Sequence, residues 1–172
     1  MVDAGLARLI LSSVYWIETQ GPGRLAIMAR PRAGEWLEDE IAGWRAQAID
    51  VVVSLLEHSE VAELGLRDEP KLCQARDMEF VSFAIPDRGV PASVRDARAL
   101  AHRLAGMLRD DKAVAVHCRA GIGRSSLIAA CALVCTGVEP SIAFDRIAET
   151  RGVAVPDTDE QRDWIVQFAT TA

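Results

Sequence analysis

The run Val51-Val52-Val53-Ser54-Leu55-Leu56 constrains the fold more than any other segment of the chain. Its apolar residues do not alternate with polar ones, so a strand built from it must be covered on both faces and lies inside a sheet. Ala113-Val114-Ala115-Val116-His117 has the same character and predicts a second interior strand. Around these strands the apolar pattern takes a helical period. Trp36, Leu37, Ile41, Trp44 and Ala48 share one face of a helix over Gly34 to Ala48, with all its tryptophans read as packing residues, as is Trp164 further on. A helix opened near Ser93 carries Val94, Ala97, Leu100, Ala101, Leu104 and Leu108 on one side. Ser125 to Thr136 is apolar nearly throughout, as a buried helix is, and Gly137 is its natural terminator.

The remaining segments complete the pattern. Val14 to Glu18 and Leu25 to Ala29 flank Thr19-Gln20-Gly21-Pro22-Gly23 and predict an edge hairpin. Phe80 to Ile85 predicts a strand ended by Pro86, while polar Glu57 to Met78 suits short helices. Two helices close the chain, about Ser141 to Thr150 and Thr158 to Thr170, the second capped by Asp157 or Thr158. Strands alternating with helices imply one three-layer α/β domain, a mainly parallel sheet of about five strands flanked by helices. Residues 1–33 form the edge hairpin in this reading and residues 34–172 the core. Ligands of such sheets bind beyond the carboxyl ends of the strands, where the loops after Val116 and Ile85 both emerge.

Composition narrows the partners. A net charge of −6 over 172 residues argues against general affinity for nucleic acid or an anionic membrane. The apolar stretch Leu127 to Val138 is too short to span a bilayer. Asp3 stands where a signal peptide carries positive charge, and Tyr15 and Trp16 follow where its cleavage site would be. Cys73, Cys118, Cys131 and Cys135 form no CxxC pair and no zinc spacing with His58, His102 and His117, which indicates a reducing, cytoplasmic setting with neither metal nor cofactor. Cys131 and Cys135, one turn apart on the apolar helix, read as core.

The chemistry concentrates in His117-Cys118-Arg119-Ala120-Gly121-Ile122-Gly123-Arg124-Ser125. A thiol is a nucleophile only as thiolate, so something must stabilise negative sulfur. Cys118 ends a strand, and Arg119 to Arg124 lead directly into a helix. Their backbone amides can curl around one point at the positive end of that helix, with Gly121 and Gly123 supplying conformational freedom. Such a nest holds phosphate oxygens, and Arg124 adds a permanent charge with two parallel donors.

His117-Cys118-x-x-Gly121-x-x-Arg124-Ser125 resembles the HCxxGxxR[ST] signature of the protein tyrosine phosphatase superfamily, over a stretch from about Gly34 to Phe168. The resemblance implies the fold of compact dual-specificity phosphatases and a phosphomonoesterase that works through a phosphocysteine. Cys118 would be the nucleophile, Arg124 the phosphate binder and Ser125 the helper of the departing sulfur, while His117 would tune the loop and the acidity of the cysteine. Asp87, in Pro86-Asp87-Arg88-Gly89-Val90-Pro91, matches the general acid of tyrosine-specific and kinase-associated phosphatases. Gln161 matches the glutamine that orients hydrolytic water in the tyrosine-specific branch, although a glutamine in a first helical turn is also common.

Substrates implied are proteins phosphorylated on tyrosine, or on serine and threonine, or small phosphomonoesters, with a non-protein phosphate such as a phosphoinositide as the alternative. Arg119 adds one charge to the loop, whereas Ile122 stands where phosphoinositide-directed relatives would carry another. Glu60 reads as a solvated helix charge, with an anchor for Arg124 as the second option. A phosphate-binding module without turnover competes as a reading, but such modules lose the cysteine, arginine or acid, all retained here. A rhodanese-like sulfurtransferase has no use for Asp87 or Ser125.

Overall fold

The computed structural model describes residues 12–171; Asp3 and its neighbours lie outside the described residues. Five strands form one sheet: β1 (Val14–Ile17), β2 (Arg24–Ala29), β3 (Val51–Ser54), β4 (Glu79–Ser82) and β5 (Ala113–Cys118). Their spatial order is β1-β2-β5-β3-β4. β1 pairs antiparallel with β2, as a hairpin must, and the other pairings are parallel. The two continuous apolar runs became the interior strands β3 and β5, every residue of which is buried. β4 is the far edge and stops at Ser82, short of the expected Ile85. The Phe83 and Ile85 amides still bond to Ser54 and Leu55 carbonyls, so the chain stays alongside β3 up to the turn at Pro86.

Helices cover both faces. On one side lie α1 (Leu37–Ala46), α2 (His58–Glu63) and α3 (Glu69–Gln74), and a smaller core there gathers Ile41, Trp44, Val52, Cys73 and Ala115. On the other lie α4 (Val94–Arg109), α5 (Arg124–Val134), α6 (Pro140–Arg151) and α7 (Asp159–Thr170) around a larger core. α5 is central to this layer, touching α4, α6, α7 and the strands β2 and β5. That position explains its apolar sequence: Arg124 through Leu133 are all buried. Gly137, at φ 97°, gives its amide to Val134 just past the end of α5, as the sequence predicts.

Several expectations need correction. Val94 is 45% exposed in the first turn of α4, and Ala48 lies exposed past the end of α1, at φ 60°. Trp36 is 41% exposed, because Gly34–Trp36 is a 3-10 turn that precedes α1 and shifts the residue off the apolar face; it packs against the Arg32 guanidinium instead. Cys135 is only partly buried, at the end of α5, while Cys131 is in the core as expected. Among the described residues no helix is long and apolar enough to cross a membrane.

Candidate active site

Alternation along β5 sends two adjacent side chains to opposite faces of the sheet. Cys118 faces the α5 layer, and His117 faces the α1 layer. There the buried His117 ring lies 6.1 Å from that of Trp44, and its Nε2 is 2.6 Å from Oε1 of Glu69, itself 1% exposed at the start of α3. Its Nδ1 approaches the Cys118 carbonyl at 3.4 Å. His117 therefore supports the root of the loop from behind. Glu69 was not expected from the sequence; α3 is too short to show a periodic pattern that would mark a buried acid.

After Cys118 the chain turns sharply into α5. Gly121 has φ 69°, and a Cβ there would stand 2.5 Å from the Met28 carbonyl carbon, so this position needs glycine twice over. A Cβ on Gly123 would meet Asp157 at 2.8 Å. The loop is thus packed directly on β2 and on the start of α7. Arg119 and Arg151 brace it further. The Arg119 side chain leaves the loop to reach Glu60 at 3.3 Å and Glu63 at 3.5 Å, and Arg151 donates to the Gly121 and Ala120 carbonyls at 3.1 and 3.3 Å. The charge expected of Arg119 is accordingly already engaged.

Cys118 Sγ lies 3.3 Å from Ser125 Oγ, both buried. Arg124, 2% exposed, holds a two-point pair with Glu60, Nη1 to Oε2 at 2.6 Å and Nη2 to Oε1 at 2.9 Å. Nη1 also donates to the Ile85 carbonyl at 2.9 Å. Glu60 is therefore the buried anchor of Arg124, not a solvated helix charge: α2 turns it inward, where its Oε2 also closes the helix start by accepting from the Glu57 amide. Burial pushes the Glu60 carboxyl up, but hydrogen bonds from Arg124, Glu57 and Arg119 and the charge of Arg124 outweigh it and hold the group at about 2. Burial likewise opposes the charge on Arg124, yet Glu60, Cys118 and Asp87 raise it further above its ordinary range.

Asp87 arrives from the loop after β4. Its Oδ1 accepts from Arg124 Nη2 at 3.1 Å, so the acid and the arginine meet at one rim. Two contacts fix the loop to the start of α7: Arg88 pairs with Asp157 at 3.1 Å, and the Gln161 amide donates to the Gly89 carbonyl at 3.0 Å. Thr158 is the helix cap, accepting from the Gln161 amide nitrogen at 3.2 Å, while Gln161 Oε1 accepts from the Asp157 and Thr158 backbone. Asp157 is thus an ion-pair partner of the acid loop and not a cap. Gln161 is fully buried, with its side chain tied to that loop.

These groups line one cleft of about 230 Å³, formed by Asp87, Cys118, Ile122, Arg124, Asp157 and Gln161 with the loop backbone between them. Burial, with the Glu69 charge, pushes Cys73 up to about 12, and burial raises Cys131 and Cys135 as well. Cys73 also packs on the sheet face opposite Cys118.

Comparison with known proteins gives the family and the fold. Residues 26–138 match the family described as Tc-R-P, polymorphic toxin system, DSP-PTPase phosphatase. Cyclin-dependent kinase inhibitor 3 of Rattus norvegicus is 31% identical over 86 residues, 49% of this chain and 40% of that protein, and the Sus scrofa protein matches to the same extent. The chain thus spans about two fifths of the length of the curated relatives it matches. Among solved structures, kinase associated phosphatase with its catalytic-site cysteine substituted by serine superposes with a TM-score of 0.85 at 19% identity, covering 93% of this chain and 95% of that one. Tk-PTP in its active form gives 0.76 at 26% identity, covering 93% and 98%. PTPMT1 in complex with PI(5)P gives 0.70 at 18%, covering 91% and 96%, which like the first is a likeness of fold. The family match takes in β2 through α5, hence the cysteine loop, the Glu60 anchor and the Asp87 loop together, and by it the chain belongs to the DSP-PTPase phosphatases of polymorphic toxin systems.

Proposed function

We propose that this domain hydrolyses phosphomonoesters on protein side chains through a phosphocysteine formed on Cys118. The observation that carries the reading is the convergence of Cys118, Arg124 and Asp87 on one cleft, with Arg124 aligned from behind by a buried carboxylate. Substrate phosphate enters the loop, is gripped by its amides, and takes Nη2 of Arg124 from Asp87. The Cys118 thiolate attacks phosphorus, the bond from phosphorus to the ester oxygen breaks, and that oxygen takes the proton of Asp87. Water then attacks the phosphocysteine, gives its proton to Asp87, and the sulfur–phosphorus bond breaks with the Ser125 hydroxyl donating to the departing sulfur. Products are the free hydroxyl and inorganic phosphate. Charge on the equatorial oxygens meets donors already in place, so little reorganisation is needed in the transition state.

In this reading His117 holds the base of the loop through Glu69, and Arg119 to Gly123 form the phosphate cradle. Gln161 has one amide hydrogen beyond its bond to Gly89 and stands in the cleft wall, which suits a role in placing water. Protein substrates are favoured over polyphosphorylated lipids by the charge balance at the rim. Among the described residues that line the cleft, Arg119 pairs with Glu60 and Glu63, Arg88 with Asp157 and Arg124 with Glu60 and Asp87, and Ile122 is apolar, so none of these cations stands unpaired for a second phosphate. Four free thiols suit a reducing compartment such as the cytoplasm. The direct test is turnover of a small aryl phosphate beside a singly phosphorylated peptide and soluble phosphoinositide headgroups. The peptide should lead in kcat/KM, and Cys118→Ser should abolish all turnover; activity surviving that change, or a headgroup preferred over the peptide, would refute the respective half of the reading.

A further inference from the structure

A trans peptide unit is planar, so a carbonyl and the amide that follows it point in opposite directions. Anything that holds a loop carbonyl away from the anion site turns the next N–H toward it. Three consecutive carbonyls of the cysteine loop are held in this way. Arg119 O accepts from the Arg30 backbone amide at 3.3 Å, just past β2. Ala120 O accepts from Arg151 Nη2 at 3.3 Å and Gly121 O from Arg151 Nε at 3.1 Å. Two of the three orientations therefore hang on one side chain, which comes from the last turn of α6 and lies outside the residues that match the family. A planar fork with donors on two nitrogens suits two adjacent carbonyls, and a lysine does not. The guanidinium is itself placed, 4.3 Å above the ring of Tyr15 on β1, and Gly152, at φ 77°, ends α6 immediately after it.

We propose that Arg151 is a positioning residue of the phosphate loop, setting the Gly121 and Ile122 amides for an oxyanion, with Tyr15 holding its guanidinium in place. The edge hairpin then has a stake in catalysis, since β1 reaches the loop through one cation–π contact and two hydrogen bonds. The inference rests on reading the loop as a phosphate site, and its test separates the two. Tungstate, a phosphate-shaped dianion, is titrated calorimetrically into wild type, Arg151→Met, Arg151→Ala, Arg151→Lys and Tyr15→Ala, and kcat and KM for an aryl phosphate are measured beside it. Misaimed amides cost both binding and the transition state, so Arg151→Met should bind tungstate about 10-fold to 100-fold more weakly and lose kcat by a similar factor. Arg151→Lys and Tyr15→Ala should fall between it and wild type. Methylguanidinium should restore part of the tungstate affinity of Arg151→Ala, which repair of a merely destabilised fold would not do. Tungstate affinity and kcat within about twofold of wild type in folded Arg151→Met would overturn the proposal. Should that variant fail to fold, undiminished tungstate affinity in Arg151→Lys would overturn it equally. Wild type that binds tungstate in an Arg151-dependent way without hydrolysing ester would uphold this inference and refute the catalytic reading.

Discussion

Arg124 and Asp87 touch at 3.1 Å, yet the arginine side chain is 2% exposed and the aspartate 56%. The first belongs to a loop packed everywhere but toward its cleft: Glu60 beneath, β2 behind, Arg151 and α7 around it. The second belongs to a loop tied down by one exposed ion pair and one amide hydrogen bond. The difference suits the work proposed for each. Anion binding gains from donors fixed before the substrate arrives, while an acid has to follow a leaving group that changes from one substrate to another. The contrast predicts that damage beneath the phosphate loop costs fold and activity together, whereas damage to the acid loop costs activity alone.

The largest effect should come from Glu60→Ala. It leaves a buried guanidinium without its partner, a change that costs about 3–5 kcal/mol, and frees Arg124 from the position in which we propose that it grips phosphate. Chemical denaturation and aryl phosphatase activity should fall together; full stability would mean that the anchor is dispensable. The same pair has a pH signature. The Glu60 carboxyl lies at about 2 in the fold against an ordinary 4.5, so its contribution is complete above about pH 4.5 and is lost as the pH drops through about 2. In Glu60→Gln this acid-side loss of stability should be shallower than in wild type.

Asp87→Asn comes next. If Asp87 is the general acid proposed above, its removal should lower kcat by about 100-fold to 10,000-fold, and the basic limb of the pH profile should flatten. Stability should hardly move, because the group is largely exposed. An unchanged profile would take Asp87 out of the mechanism. Asp157→Ala should do least. It releases Arg88 from an exposed pair of the kind that contributes about 1 kcal/mol or less, and should slow aryl phosphate turnover only modestly. Relative activity toward doubly phosphorylated peptides should rise, since a freed Arg88 can meet the second phosphate; a fall would show that the rim does not set that preference.

What the sequence could reveal divides along the same line. Cysteine, glycines and arginine at fixed spacing, between an unalternating strand and an apolar helix, are local signals, and β5, the loop and α5 were all legible from them. Partners brought together by the fold were not. Glu60 meets Arg124 from 64 residues away, out of a polar stretch whose charges look solvated. Glu69 and Arg151 are ordinary helix charges until topology lays them against His117 and against the loop carbonyls. Gln161 reads equally as a water-orienting group or as a surface residue of a first helical turn, and the fold buries it, bonded to the Thr158 amide at the helix start and to the acid loop. Trp36 misled because an apolar period does not show where a 3-10 turn gives way to an α-helix.

The central claim is a covalent bond between phosphorus and the sulfur of Cys118. Acid quenching during turnover of an aryl phosphate, followed by peptide mass spectrometry, tests it directly. Phosphate should be found on the peptide carrying Cys118 and be absent from Cys118→Ser. Phosphate on any other residue, or turnover with none on Cys118 at any quench time, would contradict it.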